Sequence, residues 1–500
     1  MYAKVYSSCL IGMEGQVIEV ELNVHAGLPS FILIGLPSST VRESAERIRT
    51  GIQNSKFEYP MRRITVNLAP SEIRKEGSTI DLAMAVALLI STKQIQLSNL
   101  ESTLFVGEVA LDGTIRRVSG VLSMVEDAKK RGFKRVVVPE ENVGEALLIE
   151  GLEIYPIQSL NDLRMERSPI LHADNTFTQT VWEIKSFGNQ HGDYSACIGQ
   201  THAIRALTIA VAGNHHILFS GPPGSGKTMM MRLIPTIMPP LTNVQAIEVT
   251  KVYSIAEHYP GGLVQQRPMR APHHTTTIAG LIGGGFKMKP GELSMAHHGV
   301  IFLDEFTEFP KHVLETLRQP LEEQRIVLSR AKQTLVYPSH VLLAAAMNPC
   351  PCGYYGYNNP SKKCGCTTSM VNKYQSKLSG PLLDRIDIVV SVPEVNLSTY
   401  QSLKPTPTSA ELREQIQQAI AFRNQRNNHN EIIHKKAEKY IQEAFEKLGI
   451  SMRARASILR VARTIADLDQ SEEVKDYHLS EAIGYRNTIL HKAMNQQTYG

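Results

Sequence analysis

Long apolar runs are missing from this chain: the longest, such as Leu82 to Ile90, fall well short of the roughly 20 residues a membrane-spanning helix requires. Met1 to Gly15 also lacks a basic start followed by an apolar core, so no secretory leader is expected. Cysteine is scarce, with six in 500 residues, too few for a secreted disulfide framework. Four of the six fall between Cys350 and Cys366, which reads as a local site in a reducing compartment, and the expected location is the cytoplasm. Tryptophan occurs once, at Trp182, and net charge is small: 53 basic against 48 acidic residues leave +5. That excess does not announce a polyanionic partner, so such a partner has to be argued from where the charges sit. A composition of 42% hydrophobic and 20% charged residues excludes collagen-like and disordered chains, and the length suits roughly three domains.

The first 160 residues mix alternating runs (Gln16 to Val24, Arg63 to Leu68) with helical patterns (Ser39 to Ser55, Thr79 to Ser91, Val121 to Arg131), an α+β signature. From Ser168 to Tyr194 the pattern dissolves, and a linker is expected there. Ala203, Ala206, Leu207, Ala210 and Val211 then recur at helical spacing, and Gly213-Asn214 stops them before the apolar run Ile217 to Ser220. Runs at Val300 to Leu303 and Val341 to Met347 have the length and flanks of buried parallel strands. Beyond Pro393 the chain turns polar and helical, with Thr408 and Glu411 spaced as a capping box and Ile458, Val461, Ala462, Ile465 and Ala466 on one stripe.

Gly221-Pro222-Pro223-Gly224-Ser225-Gly226-Lys227-Thr228 matches G-x-x-x-x-G-K-[ST] directly after a strand and before a helix expected from about Met229. Backbone N–H groups of such a loop close around phosphate because its glycines lack Cβ. Lys227 reaches the β/γ-phosphates and the Thr228 hydroxyl ligates Mg²⁺. The apolar strand ending in Asp304-Glu305 supplies the other half of an ATP-hydrolysing site, with Asp304 at the Mg²⁺ and Glu305 polarising the attacking water.

With that pair, Asn348 ending a strand, Leu382-Leu-Asp-Arg385-Ile-Asp387 and Ser451-Met-Arg453 make the chain resemble the AAA+ superfamily in its magnesium-chelatase-like branch. Arg270-Ala-Pro-His-His-Thr275, Ile282-Gly-Gly-Gly285, Pro290-Gly-Glu-Leu-Ser-Met-Ala-His297, Asn348-Pro-Cys-Pro-Cys-Gly353 and Arg460-Val-Ala-Arg-Thr-Ile-Ala-Asp-Leu468 are similar, more narrowly, to the ComM/YifB competence family over essentially the whole chain. The resemblance implies an α/β fold, an AAA+ P-loop NTPase core with a helical lid. It makes Asn348 the sensor 1 amide beside the γ-phosphate. Arg385 becomes an arginine finger acting on a neighbouring subunit of a hexamer, and Arg453, or Arg455 close by, becomes sensor 2. The bland reading of Arg385 is an ion pair with Asp384 or Asp387. Asn67 to Gly77 and Phe105 to Gly113 are similar to the Lon-type peptidase fold, a ribosomal S5 domain 2-like α+β domain. Ser78 and Thr79 sit near the nucleophile's place, but Val118 to Met124 holds no lysine to activate it, so no peptidase activity is expected.

The expected domains are 1–165, Lon-like; 166–192, linker; 193–393, ATPase core; and 394–500, lid. Within the core, Gly261 to Pro290 (Arg267, Arg270, Lys287, Lys289) and Arg325 to Gly380 (among them Arg330, Lys332, Lys362 and Lys363) contain no acidic residue, a bias that suits a polyanion. By the resemblance these stretches line a ring's pore, where Lys287, Lys289, Arg330 and Lys332 would grip single-stranded or branched DNA through phosphates. A solvated basic face is the alternative, and Tyr354, Tyr355 and Tyr357 read as stacking or packing residues. Cys350-Pro-Cys352 and Cys364-Gly-Cys366 could bring four thiolates around a structural Zn²⁺, or remain reduced thiols. The implied function is a branch-migration helicase acting on recombination intermediates in natural transformation. A magnesium-chelatase-type metal-insertion motor and an AAA+ protein remodeller are the alternatives.

Overall fold

A computed structural model of the protein describes residues 1–164, 192–259, 261–285, 288–330, 333–357, 363–395, 405–426, 433–448 and 451–494. The expected linker up to residue 191, and Lys287, Lys332 and Lys362, lie outside the described residues. The chain divides into two compact units, one of Met1–Trp182 with Ala246–Gln265 and Ala331–Val336, the other of Glu183–Gln245, Gln266–Arg330 and Tyr337–Gly500.

The first unit is built on a seven-stranded mixed sheet in the spatial order Ser30–Ile34, Arg63–Ala69, Glu14–His25, Tyr2–Ile11, Thr103–Phe105, Arg135–Pro139, Glu153–Ile157. Strand alternation sets its faces: Val20, Leu22 and Val24 are buried, while Glu19, Glu21 and Asn23 between them are not. Tyr2–Ile11 and Arg63–Ala69 flank Glu14–His25 antiparallel, and the outer pairings are parallel. Helix Asp81–Ser91 is apolar on all sides and almost wholly buried, as such helices must be. Asp81 at its start accepts bonds from Ser44 Oγ and, at 2.9 Å, from Arg47 Nε; burial outweighs these partners and pushes its carboxyl up to about 6.

A segment distant in sequence completes this unit. Ser254 donates to Glu145, which also accepts the Leu122 amide at 2.8 Å and Asn142 Nδ2 at 3.2 Å, and Lys251 pairs with Glu126 at 2.8 Å. Burial raises the Glu145 carboxyl pKa against those hydrogen bonds. Ser78 donates to Glu108 and the buried Lys75 amine to the Pro70 carbonyl; no described bond joins Ser78 to Lys75.

The second unit carries a five-stranded sheet in the order Met269–Arg270, Val300–Leu303, Leu342–Met347, Ile217–Ser220, Ile388–Ser391, with every pairing parallel. Its three central strands are buried along their whole length, which is why they read as unbroken apolar runs. Helix Thr201–Gly213 packs against this sheet and ends at Asn214 in the left-handed region (φ 53°). Helix Ser409–Gln425 begins with the expected Thr408–Glu411 capping box. Helix Met452–Leu468 buries Ile458, Val461, Ala462, Ile465 and Ala466 in the same core. Parallel strands present their following loops at one edge, and this edge holds the phosphate loop after Ser220, Asp304 after Leu303 and Asn348 after Met347. No described helix is long and apolar enough to cross a membrane.

Candidate active site

The helix after the phosphate loop starts at Lys227 rather than near Met229, because Gly226 already closes the loop with φ 85°. Gly224, at φ 81°, supplies the other left-handed turn, and a Cβ at either position would meet no heavy atom within 4 Å. The loop thus presents an open concavity of backbone. Lys227 Nζ donates to the carbonyls of Gly221 and Pro222, both at 2.8 Å, and reaches Ser225 Oγ and Asn348 Oδ1 at 3.5 Å. Burial lowers the Lys227 amine to about 8, partly offset by the charge of Asp304.

Thr228 Oγ1 donates to Asp304 Oδ2 at 3.0 Å, and Asp304 Oδ1 accepts the Glu305 amide at 3.0 Å. Glu305 occupies the left-handed region at φ 50°, and its side chain stays largely exposed. His274 Nδ1 lies 3.5 Å from Glu305 Oε2, and the His273 ring is tilted against the His274 ring, centroids 4.0 Å apart. Lys227, Thr228, Asp304, Glu305 and Asn348 are therefore brought together as the motifs predict.

Arg385 and Arg453 form a second group. Both guanidinium groups bond Glu322, Arg385 at 2.5 Å, and Arg385 also donates to the carbonyls of Arg318 (2.7 Å) and Pro381 (2.6 Å). The partner of Arg385 is thus neither Asp384 nor Asp387. Arg486 takes Asp384, while His215, Ser457 and Arg460 surround Asp387. Burial works against charge on Asp387, but the bond and charge of His215 prevail and hold its carboxyl well below the usual range. Glu322 is a partner of these arginines that no motif marked, whereas His274, beside Glu305, falls within the Arg270 to Thr275 motif. Lys289 lies in the short strand Lys289–Pro290 paired with Gly283–Gly284, and Tyr337 ties this turn by donating to the Met288 carbonyl at 2.9 Å. Arg330 ends strand Arg325–Arg330, its side chain outside the described residues.

All four sulfurs of Cys350, Cys352, Cys364 and Cys366 lie within 4.8 Å of one another. The Tyr354 amide bonds the Cys352 sulfur and is the largest influence holding that thiol down at about 6. Tyr357 packs rather than projects, its hydroxyl 2.6 Å from Ser391 Oγ and donating to the Ser220 carbonyl at 3.3 Å.

The chain matches the magnesium chelatase subunit ChlI family over residues 193–400, its ChlI subunit model over 20–142 and the ChlI C-terminal family over 406–486. It is 38% identical to competence protein ComM of Haemophilus influenzae over 97% of this chain and 98% of the relative. It belongs to the ComM/YifB family of magnesium-chelatase-like AAA+ proteins. YifB of Salmonella typhimurium is 35% identical over 97% of each chain. Over 26% of this chain there is 28% identity to an archaeal Lon protease of Methanocaldococcus jannaschii, a likeness that agrees with a Lon-like front region.

Membership in this AAA+ family implies ATPase activity with ATP and Mg²⁺. The residues fit both. The open glycine cradle and the Lys227 ammonium suit a triphosphate, and the Thr228 hydroxyl beside the Asp304 carboxylate offers the hard oxygen donors Mg²⁺ takes. The ion, when bound, neutralises charge that builds up on the phosphates. Lys227 would exchange its two loop carbonyls for phosphate oxygens, and Asn348 stands where its amide can orient a group beside that lysine.

Proposed function

We propose that the protein is a ring-forming, ATP-driven DNA motor that promotes branch migration of recombination intermediates in natural transformation. Full-length similarity to a competence protein carries this reading, together with a hydrolysis site whose flanking stretches are basic and free of acids. In the proposed cycle Glu305 orients the attacking water and Asn348 the γ-phosphate. Arg385, released from Glu322, reaches the nucleotide of the adjoining subunit of a hexamer, and Arg453 senses the nucleotide from the lid. Lys287, Lys289, Arg330 and Lys332 grip single-stranded or branched DNA by its phosphates, so affinity is sequence-independent and falls with salt. The domain division is read as a Lon-like front region without peptidase activity, a linker, the ATPase core and a helical lid.

The test is ATP hydrolysis by the full chain with and without four-way-junction DNA at two salt concentrations. Salt-sensitive stimulation is expected, absent in Glu305→Gln and weakened in Lys332→Ala, whose basal turnover is preserved. Unstimulated turnover with DNA, but stimulation by a porphyrin with partner subunits or by an unfolded protein, would replace the DNA reading. The ChlI similarity favours the first of these and the Lon-like front region the second.

A further inference from the structure

The cysteine cluster is neither part of the hydrolysis set nor explained by the DNA reading. Cys350 is fully buried and the other three are partly buried. The Sγ–Sγ separations are 3.4 Å (Cys350–Cys352), 3.5 Å (Cys352–Cys364) and 3.8 Å (Cys350–Cys364). A disulfide would need about 2.05 Å. Four sulfurs on a single zinc ion, each at about 2.3 Å, stand roughly 3.8 Å apart in a regular tetrahedron. A multi-iron cluster spreads its thiolates over separate irons and would hold them farther apart. The sulfurs also have the backbone support a metal-thiolate site requires. Besides the Tyr354 amide on Cys352, the Cys366 amide bonds the Cys364 sulfur and the Cys352 amide the Cys366 sulfur.

This cluster sits on the loop that begins with Asn348 after strand Leu342–Met347, and that loop lies against the phosphate-binding loop. A Cβ built on Gly353 would stand 2.5 Å from Pro223 Cδ, so the two loops already touch. Tyr357 hydrogen-bonds the carbonyl of Ser220, the residue before Gly221, and Gln375 Nε2 holds the Pro349 carbonyl at 2.8 Å. Cys364 and Cys366 return the chain just before Thr367, which caps helix Thr368–Gln375.

We propose that Cys350, Cys352, Cys364 and Cys366 bind one structural zinc ion that braces the phosphate-binding loop from behind, so that tight nucleotide binding depends on the metal. Binding exchanges whatever S–H protons the four cysteines still carry, released to solvent, for four Zn–S bonds, with no electron transferred. Four protein ligands leave no open position, so the ion takes no part in hydrolysis.

The test uses the full chain without DNA, so its failure is separate from failure of the DNA reading. Zinc content is measured by elemental analysis of the wild type and of Cys364→Ser/Cys366→Ser. A fluorescent ATP analogue is then titrated, in excess Mg²⁺, before and after zinc is displaced with an organomercurial, and again after thiol rescue and zinc return. The expected result is about one zinc per wild-type chain, loss in the variant, and roughly tenfold weaker nucleotide binding that recovers with zinc. A wild type with only traces of zinc overturns the site. Stoichiometric zinc whose removal leaves nucleotide affinity unchanged overturns the brace. If the double variant does not fold, displacement and return on the wild type decide the matter alone.

Discussion

Lys227 is held by its own loop while it waits for phosphate, and that arrangement has a proton cost. Burial brings its pKa to about 8, against about 10.4 for a free lysine. Between those values the folded, nucleotide-free protein binds fewer protons than the unfolded chain, so this group's contribution to stability rises with pH across that window. Triphosphate restores the proton. Binding is therefore expected to take up almost none at about pH 7 and to approach one at about pH 9, measured by calorimetry in buffers of different ionisation enthalpy. Lys227→Arg removes the uptake, since an arginine stays charged there; an unchanged uptake would assign it elsewhere. The lysine itself was legible because its motif is eight contiguous residues. Its depressed pKa was not, since that arises from burial in the folded protein, against the opposing charge of Asp304, 77 residues away in sequence.

At the scale of elements, the end of helix Arg318–Glu323 holds two arginines that motif reasoning assigned to catalysis. Glu322 lies 63 residues from Arg385 and 131 from Arg453, and nothing in local spacing marks it. Glu322 is about half exposed, so each pair is worth at most about 1 kcal/mol. Glu322→Ala is accordingly expected to raise ATP turnover by up to about fivefold, with both arginines freed, while Glu322→Gln gives a smaller rise. Steady-state hydrolysis measures this, and a fall in both variants would make Glu322 a catalytic support rather than a latch. The strands at Val300 and Leu342 were legible for the reason the latch was not. Burial on both faces writes an apolar run into consecutive residues, whereas a cross-helix ion pair leaves no local trace.

At the scale of the whole molecule, the in-trans role proposed for Arg385 would make activity a property of pairs of subunits. Glu305→Gln and Arg385→Ala, each inactive alone, are expected to regain hydrolysis on mixing, because some interfaces then combine an intact Glu305 with a neighbour's intact Arg385. Random equal mixing yields about a quarter of such interfaces, an upper bound on recovered turnover. No recovery from subunits that exchange freely would return Arg385 to a role within its own chain. The fold classes were readable from runs, caps and phosphate-loop spacing. The composition of the front unit was not, since its pieces come from three separate parts of the chain. Leu335 packs at 3.7 Å from the position of a Gly12 Cβ, and Ser254 supplies the hydroxyl that Glu145 uses. The boundary a gene-level dissection would choose, after residue 164 or so, therefore cuts through a fold rather than between folds. Such a piece would start life with a buried carboxylate short of a donor and an uncovered apolar face, which makes the front region hard to transplant and its history hard to separate from that of the motor.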